Sequence, residues 1–326
     1  MPRYTAADIT VIIPTIGRED VLLNTIRACL EEPEPPCSVI VVDQSKEHEP
    51  ETVRQLEEWQ QLGRVTVLTP DIASQPAAMN VGTVAAESRL LLFLDDDVEP
   101  VPGFVAAHAT AHNDPSVWCV IGQIIQPWQQ PEQITRPESG KGLRRDLDFA
   151  FHSCVECQVF NGMSGHMSVK RDRCLQAGGF DENFCGAAYR FDTEFSRRIN
   201  SCGGTVRFQP RASLKHLRAA RGGTRRTGNH LASADPIHGV GDYYFAIVCG
   251  RGWDRIRYIV HRMVREICTR FHLKRPWYIP VKLLGEFRAA AWALRLAMQG
   301  PRLVRGAPNS VGHIDDIGKK RLLGER

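Results

Sequence analysis

The chain has 326 residues, 43% of them hydrophobic, and a net charge of +4, so it can bury the core of one large domain or two small ones. Its longest apolar runs are about five to seven residues, far short of the roughly 20 that span a bilayer. Because MPRYTAADIT is not an export signal and the ten cysteines are scattered, we predict a cytoplasmic protein with reduced thiols and no transmembrane helix.

The first hundred residues alternate short apolar runs with stretches of helical character. The predicted strands are 9–14, 38–43, 65–68 and the apolar run from residue 90, and the predicted helices between them are 18–30, 51–62 and 75–88. This alternation predicts an α/β fold with a parallel sheet. The strands are apolar throughout, as expected when helices cover both faces of the sheet.

After residue 100 the pattern continues but becomes less regular. A helix within 101–112 leads to a strand at 118–125, and then to a long connection at 126–145 that is rich in Pro, Gly, Gln and charged residues. Loops of this kind often have functional roles. Residues 161–184 have mixed strand, helix and turn character, and a helix at 189–204 and a strand at 205–210 follow.

Two amphipathic helices are predicted near the end of the chain, at 254–271 and 281–299. The first has an apolar stripe of Ile256, Val260, Met263, Ile267 and Phe271, and basic residues Arg257, His261, Arg262 and Arg265 on the other side. In the second, Leu283, Phe287, Ala290, Leu294 and Ala297 share one face, and Arg288 and Arg295 lie on another. These helices are consistent with core packing with solvated arginines, or with a membrane-surface module. A nucleic-acid patch is disfavoured because no interleaved aromatic residues form a stacking platform.

Polar residues follow three of the predicted parallel strands. They are Pro14 and Thr15, then Asp43, Gln44 and Ser45, then Asp95, Asp96 and Asp97. Ligands of such sheets collect at the carboxyl ends of the strands. Adjacent carboxylates repel each other unless a cation lies among them, and their hard oxygens suit Mg²⁺ or Mn²⁺ holding a diphosphate. Residues 207–226 contain seven basic residues and no acidic one, which also indicates an anionic partner.

Six segments, in this order and at these separations, resemble family 2 glycosyltransferases of the GT-A fold. They are VIIPTIGRED, VIVVDQSKE, AAMNVGTVAAES, LLFLDDDVEPVPGF, AGGFDENF and FDTEFSRRI. The resemblance covers about residues 8–217. It implies a Rossmann-like, mostly parallel sheet flanked by helices, and inverting transfer of a sugar from a nucleotide-diphosphate donor to an acceptor hydroxyl, with a divalent metal.

The resemblance also assigns roles to individual residues. Donor binding is expected of Pro14, Thr15, Arg18, Asp43, Asn80, Asp95 and Asp96. Among these, Asp43 matches the residue that contacts the nucleobase, usually uracil, so a UDP-sugar is the expected donor. Metal binding is expected of Asp95 and Asp97, the ends of the DxD motif, and of His216. Asp192 matches the catalytic base that takes the acceptor proton.

Three positions depart from the family pattern. Gln44 replaces a second acid after Asp43, Met79 replaces an Arg before Asn80, and Phe191 replaces the Glu expected before Asp192. Glu194 therefore competes with Asp192 as the base, and residues two apart on a helix do not share a face.

The resemblance predicts residues 1–235 as the glycosyltransferase domain, with donor binding in about 1–125 and the acceptor side in about 126–235. Residues 236–326 form a basic helical extension. The expected acceptor is a glycan or lipid-linked glycan, with contact to a membrane surface and none to nucleic acid. His166 and Trp128 are expected near the acceptor, whereas a structural zinc at Cys154 and Cys157 is disfavoured because no second ligand pair is nearby.

Two alternative functions fit part of the pattern. A sugar-nucleotide nucleotidyltransferase also uses carboxylate-bound Mg²⁺, but its Gly-rich, basic N-terminal loop is reduced here to Gly17 and Arg18. A non-catalytic module that binds nucleotide sugars would show donor affinity without releasing nucleotide.

Overall fold

The N-terminal half alternates strands and helices as predicted. A computed structural model describes residues 3–71, 73–135, 139–223 and 229–304. Its first elements are β1 (Ile9–Thr15), α1 (Asp20–Leu30), β2 (Ser38–Asp43), α2 (Pro50–Gln61), β3 (Val65–Leu68), α3 (Gln75–Ala85) and β4 (Leu90–Leu94). These strands are rich in Val, Ile and Leu, which favour a pleated sheet buried on both faces.

The second half adds further strands, and the described residues after them form helices. The elements up to the last strand are β5 (Val98–Pro100), α4 (Phe104–Ala111), β6 (Val117–Ile125), β7 (Cys157–Gln158), β8 (His166–Lys170), α5 (Arg171–Gln176), α6 (Phe191–Ser201) and β9 (Thr205–His216). The helices that follow are α7 (Val240–Cys249), α8 (Gly252–Ile267), α9 (Arg270–Lys274) and α10 (Ile279–Gln299).

The nine strands within the described part of the chain form one sheet, in the order β3-β2-β1-β4-β8-β6-β9-β5, and β7 pairs with β9. The strands β1 to β4 are parallel, as predicted, whereas β8 lies antiparallel between β4 and β6. The sequence pattern did not separate out the short strand β5. It pairs with the end of β9 and sets Val98 opposite His216, which brings the end of β9 to the three aspartates.

Apolar residues fill both faces of the sheet. Successive residues of a strand point to opposite faces, and Ile12 accordingly lies in one core cluster while Val11 and Ile13 lie in the other. Tyr243 of α7 and Ala289 of α10 belong to the same cluster as Ile12. The C-terminal helices therefore complete one of the two cores of the sheet.

The packing of α8 differs in part from the expected core packing with solvated arginines. Arg262 is buried, while Ile256 and Val260 on its predicted apolar stripe are exposed. Helix α8 does pack on the core, through Tyr258, Ile259 and Met263. Arg262 alone departs from the expected solvated arginines, because it pairs with buried carboxylates on α7 and α10. No helix among the described residues is both long and apolar enough to span a membrane.

Candidate functional site

The ends of β1 and β4 bring a buried arginine to the three aspartates. Arg18 Nε lies 3.2 Å from Asp96 Oδ1, and Arg18 Nη2 lies 3.0 Å from Asp97 Oδ2. Thr15 donates its hydroxyl to Asp96 Oδ2 at 2.7 Å. Arg18 is therefore one cation that offsets the repulsion among the carboxylates.

Asp96 still has a strongly perturbed carboxyl group. Burial, supported by repulsion from Asp95 and Asp97, raises the pKa of Asp96 to about 7, although the Thr15 hydrogen bond and the Arg18 charge lower it. A carboxylate this deeply buried and already bonded to Thr15 and Arg18 serves to hold the strand ends together. Of the three aspartates, Asp95 and Asp97 are then the candidates for binding a metal.

Asp95, Asp97 and His216 form a three-residue cluster suited to a metal ion. His216 Nε2 lies 3.7 Å from Asp95 Oδ2 and 3.4 Å from Asp97 Oδ1. One ligand atom from each residue lies within 4.8 Å of the others, and no other such group of three His, Cys, Asp or Glu residues occurs among the described residues. Two carboxylates and one imidazole fit Mn²⁺, which accepts both oxygen and nitrogen ligands.

A glycine opposite the cluster makes room for Asp95. A Cβ atom on Gly165 would come within 2.1 Å of Asp95 Oδ2, so a side chain at Gly165 would displace the carboxylate. The Gly165 carbonyl also accepts a hydrogen bond from the Asp95 amide at 3.1 Å. The segment that precedes β8 thus fixes Asp95 in place.

The loop after β9 packs on the end of β1 and on the aspartates. The Ala219 amide donates to Asp97 Oδ2 at 2.8 Å, and Arg18 Nη1 donates to the carbonyls of Ala219, at 2.9 Å, and of Arg221. Gly222 approaches Gly17 so closely that a Cβ atom on Gly222 would lie 2.3 Å from the Gly17 carbonyl. Arg18 therefore binds this loop as well as the aspartates. Arg225 and Arg226, the last two residues of the basic segment 207–226, lie outside the described residues.

Asp43, at the end of β2, takes part in a second polar network. His48 Nε2 lies 2.7 Å from Asp43 Oδ2, and His48 Nδ1 lies 3.2 Å from Glu19 Oε1. The Ser45 amide donates to Asp43 Oδ1 at 2.9 Å. Burial lowers the pKa of His48, but the hydrogen bonds and charges of Asp43 and Glu19 outweigh it, so the pKa is raised overall. His48 therefore fixes the orientation of the Asp43 carboxylate.

Asn80 lies apart from these contacts. It is fully buried in α3, and its amide donates to the Phe180 carbonyl at 2.8 Å while its oxygen accepts from the Phe180 amide at 2.8 Å. These bonds fix the Gly-Gly-Phe-Asp turn. Pro14 is partly buried on β1, opposite Val42 of β2.

Asp192 and Glu194, the two competing bases, have different surroundings in the first turn of α6. Glu194 is buried and makes a bidentate ion pair with Arg198, with both N–O distances at 2.8 Å. Asp192 accepts hydrogen bonds from the amides of Thr193, at 2.8 Å, and Ser164, at 3.4 Å. Ser164 directly precedes Gly165, so adjacent residues connect the Asp192 carboxylate to Asp95. Glu194 is thus held in an ion pair, whereas Asp192 bonds to the residue before Gly165, which contacts Asp95.

Residues 10–192, more than half of the chain, match glycosyl transferase family 2. The chain belongs to this family. It is 24% identical over 270 residues to the O-antigen biosynthesis protein RfbC of Myxococcus xanthus, a match that covers 75% of this chain and 19% of that protein. This family 2 chain therefore spans only about a fifth of the length of that relative.

Two solved structures share the GT-A fold of this family 2 chain. GalNAc-T7, solved with UDP, GalNAc and Mn²⁺, has a TM-score of 0.54 at 14% identity, over 85% of this chain and 56% of that one. The mannosyltransferase PcManGT of Pyrobaculum calidifontis, solved with GDP-Man and Mn²⁺, has a TM-score of 0.52 at 19% identity, over 92% and 80%. At these identities the similarity establishes the fold alone.

Sequence reasoning missed several contacts of this glycosyltransferase and misplaced one residue. His166 is fully buried against Phe104 and His108, so its expected place near the acceptor is wrong. Trp128 is exposed beside Arg218, whose guanidinium carbon lies 4.9 Å from the ring centre. The role of Gly165 was missed, although the paired glycines of NGMSGHM were a usable signal for close backbone approach.

Proposed function

We propose that this glycosyltransferase moves a sugar from a nucleotide-diphosphate donor, a UDP-sugar by preference, to a hydroxyl of a glycan or lipid-linked glycan. The observation that carries the proposal is the position of Asp192, whose carboxylate is connected through Ser164 and Gly165 to Asp95. One site then contains a base and a metal-binding cluster, which are the two parts that displacement of a diphosphate requires.

The proposed reaction is a single displacement with inversion. The acceptor oxygen forms a bond to the anomeric carbon, the bond from that carbon to the diphosphate oxygen breaks, and the acceptor proton passes to the Asp192 carboxylate. Asp95, Asp97 and His216 would hold Mn²⁺ or Mg²⁺, which neutralises the departing diphosphate when bound. The imidazole of His216 favours Mn²⁺.

The donor site we propose includes Thr15 and Asp43 at the ends of two adjacent parallel strands. Asp43 has a fixed carboxylate for a nucleobase because His48 and the Ser45 amide hold it. Arg18 acts within the protein, as the link among Asp96, Asp97 and the loop after β9. We assign residues 1–235 to the catalytic domain and 236–326 to an extension, and the free state of all ten cysteines favours a cytoplasmic location.

Calorimetric titration with UDP, GDP, dTDP and CDP, with and without Mn²⁺, tests the donor site. We expect Mn²⁺-dependent binding of one nucleotide, lost in Asp95→Asn and kept in Glu99→Gln, an exposed carboxylate on the neighbouring strand. Absence of binding by every nucleotide, or equal binding by both variants, would contradict the proposal. Nucleotide release from the matching nucleotide sugar then separates a transferase from a binding module, and pyrophosphate release from a nucleoside triphosphate and a sugar phosphate would indicate a nucleotidyltransferase.

A further inference from the structure

Helices α8 and α10 bury several charged residues and expose many of their apolar ones. Arg262 of α8 is only 3% exposed and lies 3.1 Å from Glu286 of α10, and it also pairs with Asp242 of α7. Lys282 of α10 is likewise buried, 3.0 Å from Glu286 and 3.3 Å from Glu266. Ion pairs therefore join the inward faces of α8 and α10, beside core residues such as Tyr258 and Ala293, and the remaining apolar side chains lie outside.

The exposed residues form what we call the apolar face. Its residues on α8 are Trp253, Ile256, Val260 and Val264. Its residues on α9, on α10 and in the turn between them are Leu273, Trp277, Val281, Leu284, Phe287, Leu294 and Met298. At about 100° per residue, the four α8 residues lie within about 80° of one another, opposite Arg262. Trp253 is 78% exposed and Trp277 66%. Single exposed apolar residues are common, but a run along two helices marks an interaction surface.

The charges that remain exposed on these helices are all basic. Residues 251–299 are fully described, and the exposed basic residues among them are Arg251, Arg257, Arg265, Arg270, Lys274, Arg275, Arg288 and Arg295. The three acids of this stretch, Asp254, Glu266 and Glu286, are buried or half-buried in contacts within the protein. An apolar face with tryptophans, on helices whose own exposed charges are all basic, is complementary to an anionic lipid surface.

From this complementarity we infer that α8, α9 and α10 bind the surface of an anionic membrane through the apolar face. A second copy of the chain fits less well, because a two-fold interface would place the basic rim of one copy against that of the other. Residues 305–326 also fit less well, since they contain five Lys and Arg against three Asp and Glu. The inference rests on this surface alone and does not depend on the transferase activity.

The test is co-sedimentation of the full chain with vesicles, without donor or acceptor. We expect binding to phosphatidylcholine vesicles that contain phosphatidylglycerol, little binding to phosphatidylcholine alone, and weaker binding at high salt. The double substitution Trp253→Ser with Val260→Ser should lower the bound fraction at least several-fold. Leu62→Ser, which alters an exposed apolar residue after α2, should leave it unchanged.

Two further measurements keep the result interpretable. The circular dichroism spectrum and thermal unfolding curve of the double variant should match those of the unaltered chain, and a match excludes loss of fold as the cause of weak vesicle binding. No binding to anionic vesicles, or equal binding by the double variant, would overturn the inference. A dimer in analytical ultracentrifugation that the double variant dissociates, without vesicle binding, would instead assign the apolar face to self-association.

Discussion

Arg18 is the residue whose removal tests the arrangement of the aspartates most directly. Its guanidinium makes ion pairs with Asp96 and Asp97, and all three side chains are buried. Arg18→Met keeps much of the side-chain length but leaves the two carboxylates without this cation. At a pH well above 7, where Asp96 is ionised, breaking a buried ion pair by removing one partner costs about 3–5 kcal/mol, because the remaining charge is buried and uncompensated.

A matched control lies in the loop that Arg18 holds. Arg221 pairs with Glu49 at 3.5 Å, but both side chains are well exposed. An exposed pair contributes about 0–1 kcal/mol, so Arg221→Met should be close to neutral. A cost of 1 kcal/mol lowers the melting temperature of a chain of this size by roughly 2 °C. The melting temperature of Arg18→Met, measured by circular dichroism, should therefore lie about 6–10 °C below that of the control.

The pH dependence of this deficit supplies a second readout. Burial, then repulsion from its neighbours, raises the pKa of Asp96, so its charge destabilises the folded state as the pH rises from 3.8 through about 7. Removing Arg18 raises that pKa further, so the deficit should shrink on acidification as Asp96 takes up a proton. A melting temperature equal to that of Arg221→Met, or a deficit that grows at low pH, would refute this account of the ion pairs.

Asp192→Asn should lower the rate of sugar transfer by about 100-fold or more while nucleotide titration stays unchanged, because an amide cannot accept the proton. Glu194→Gln should instead lower the melting temperature, because it weakens a buried ion pair. Arg262→Met should cost about 3–5 kcal/mol in denaturant unfolding, whereas the exposed Arg257→Met should cost little. Burial lowers the pKa of His48, but its carboxylate partners raise it overall, so the charged imidazole stabilises the folded state. The difference in unfolding free energy between the unaltered chain and His48→Gln should therefore be largest below pH 6.5 and shrink as the pH rises.

The first four strands and the helices between them could be predicted from local pattern. Each of these strands is a continuous apolar run bounded by polar residues, and α1 and α2 each have an apolar stripe of helical period. Parallel order then places the carboxyl ends of the strands at one edge of the sheet. For that reason the sequence also predicted that Thr15, Asp43 and the aspartates would lie along one edge.

The remaining contacts depend on residues that are distant in the chain. Nothing local in IPTIGRED indicates that Arg18 will pair with Asp96 and Asp97, about 80 residues later, and bind the loop at 217–223. Asn80 matched a donor-site position, but its partner Phe180 lies 100 residues away. Helical period also gave the faces of α8 without indicating which one is buried. That choice depends on Asp242 and Glu286, which belong to other helices.

The buried charges of the C-terminal helices extend to the helix that holds the proposed base. Arg190 directly precedes α6 and has a left-handed backbone, with φ of 75°, which is unfavourable for a residue other than glycine. Its Nε lies 3.5 Å from Asp242 Oδ1, and Asp242 in turn pairs with Arg262 and bonds to the Tyr258 hydroxyl. These contacts hold Arg190 in its unusual conformation two residues before Asp192. The C-terminal helices thereby set the direction of the first turn of α6, so a change that loosens the Asp242 cluster should alter the position of Asp192 relative to Asp95 without touching either residue.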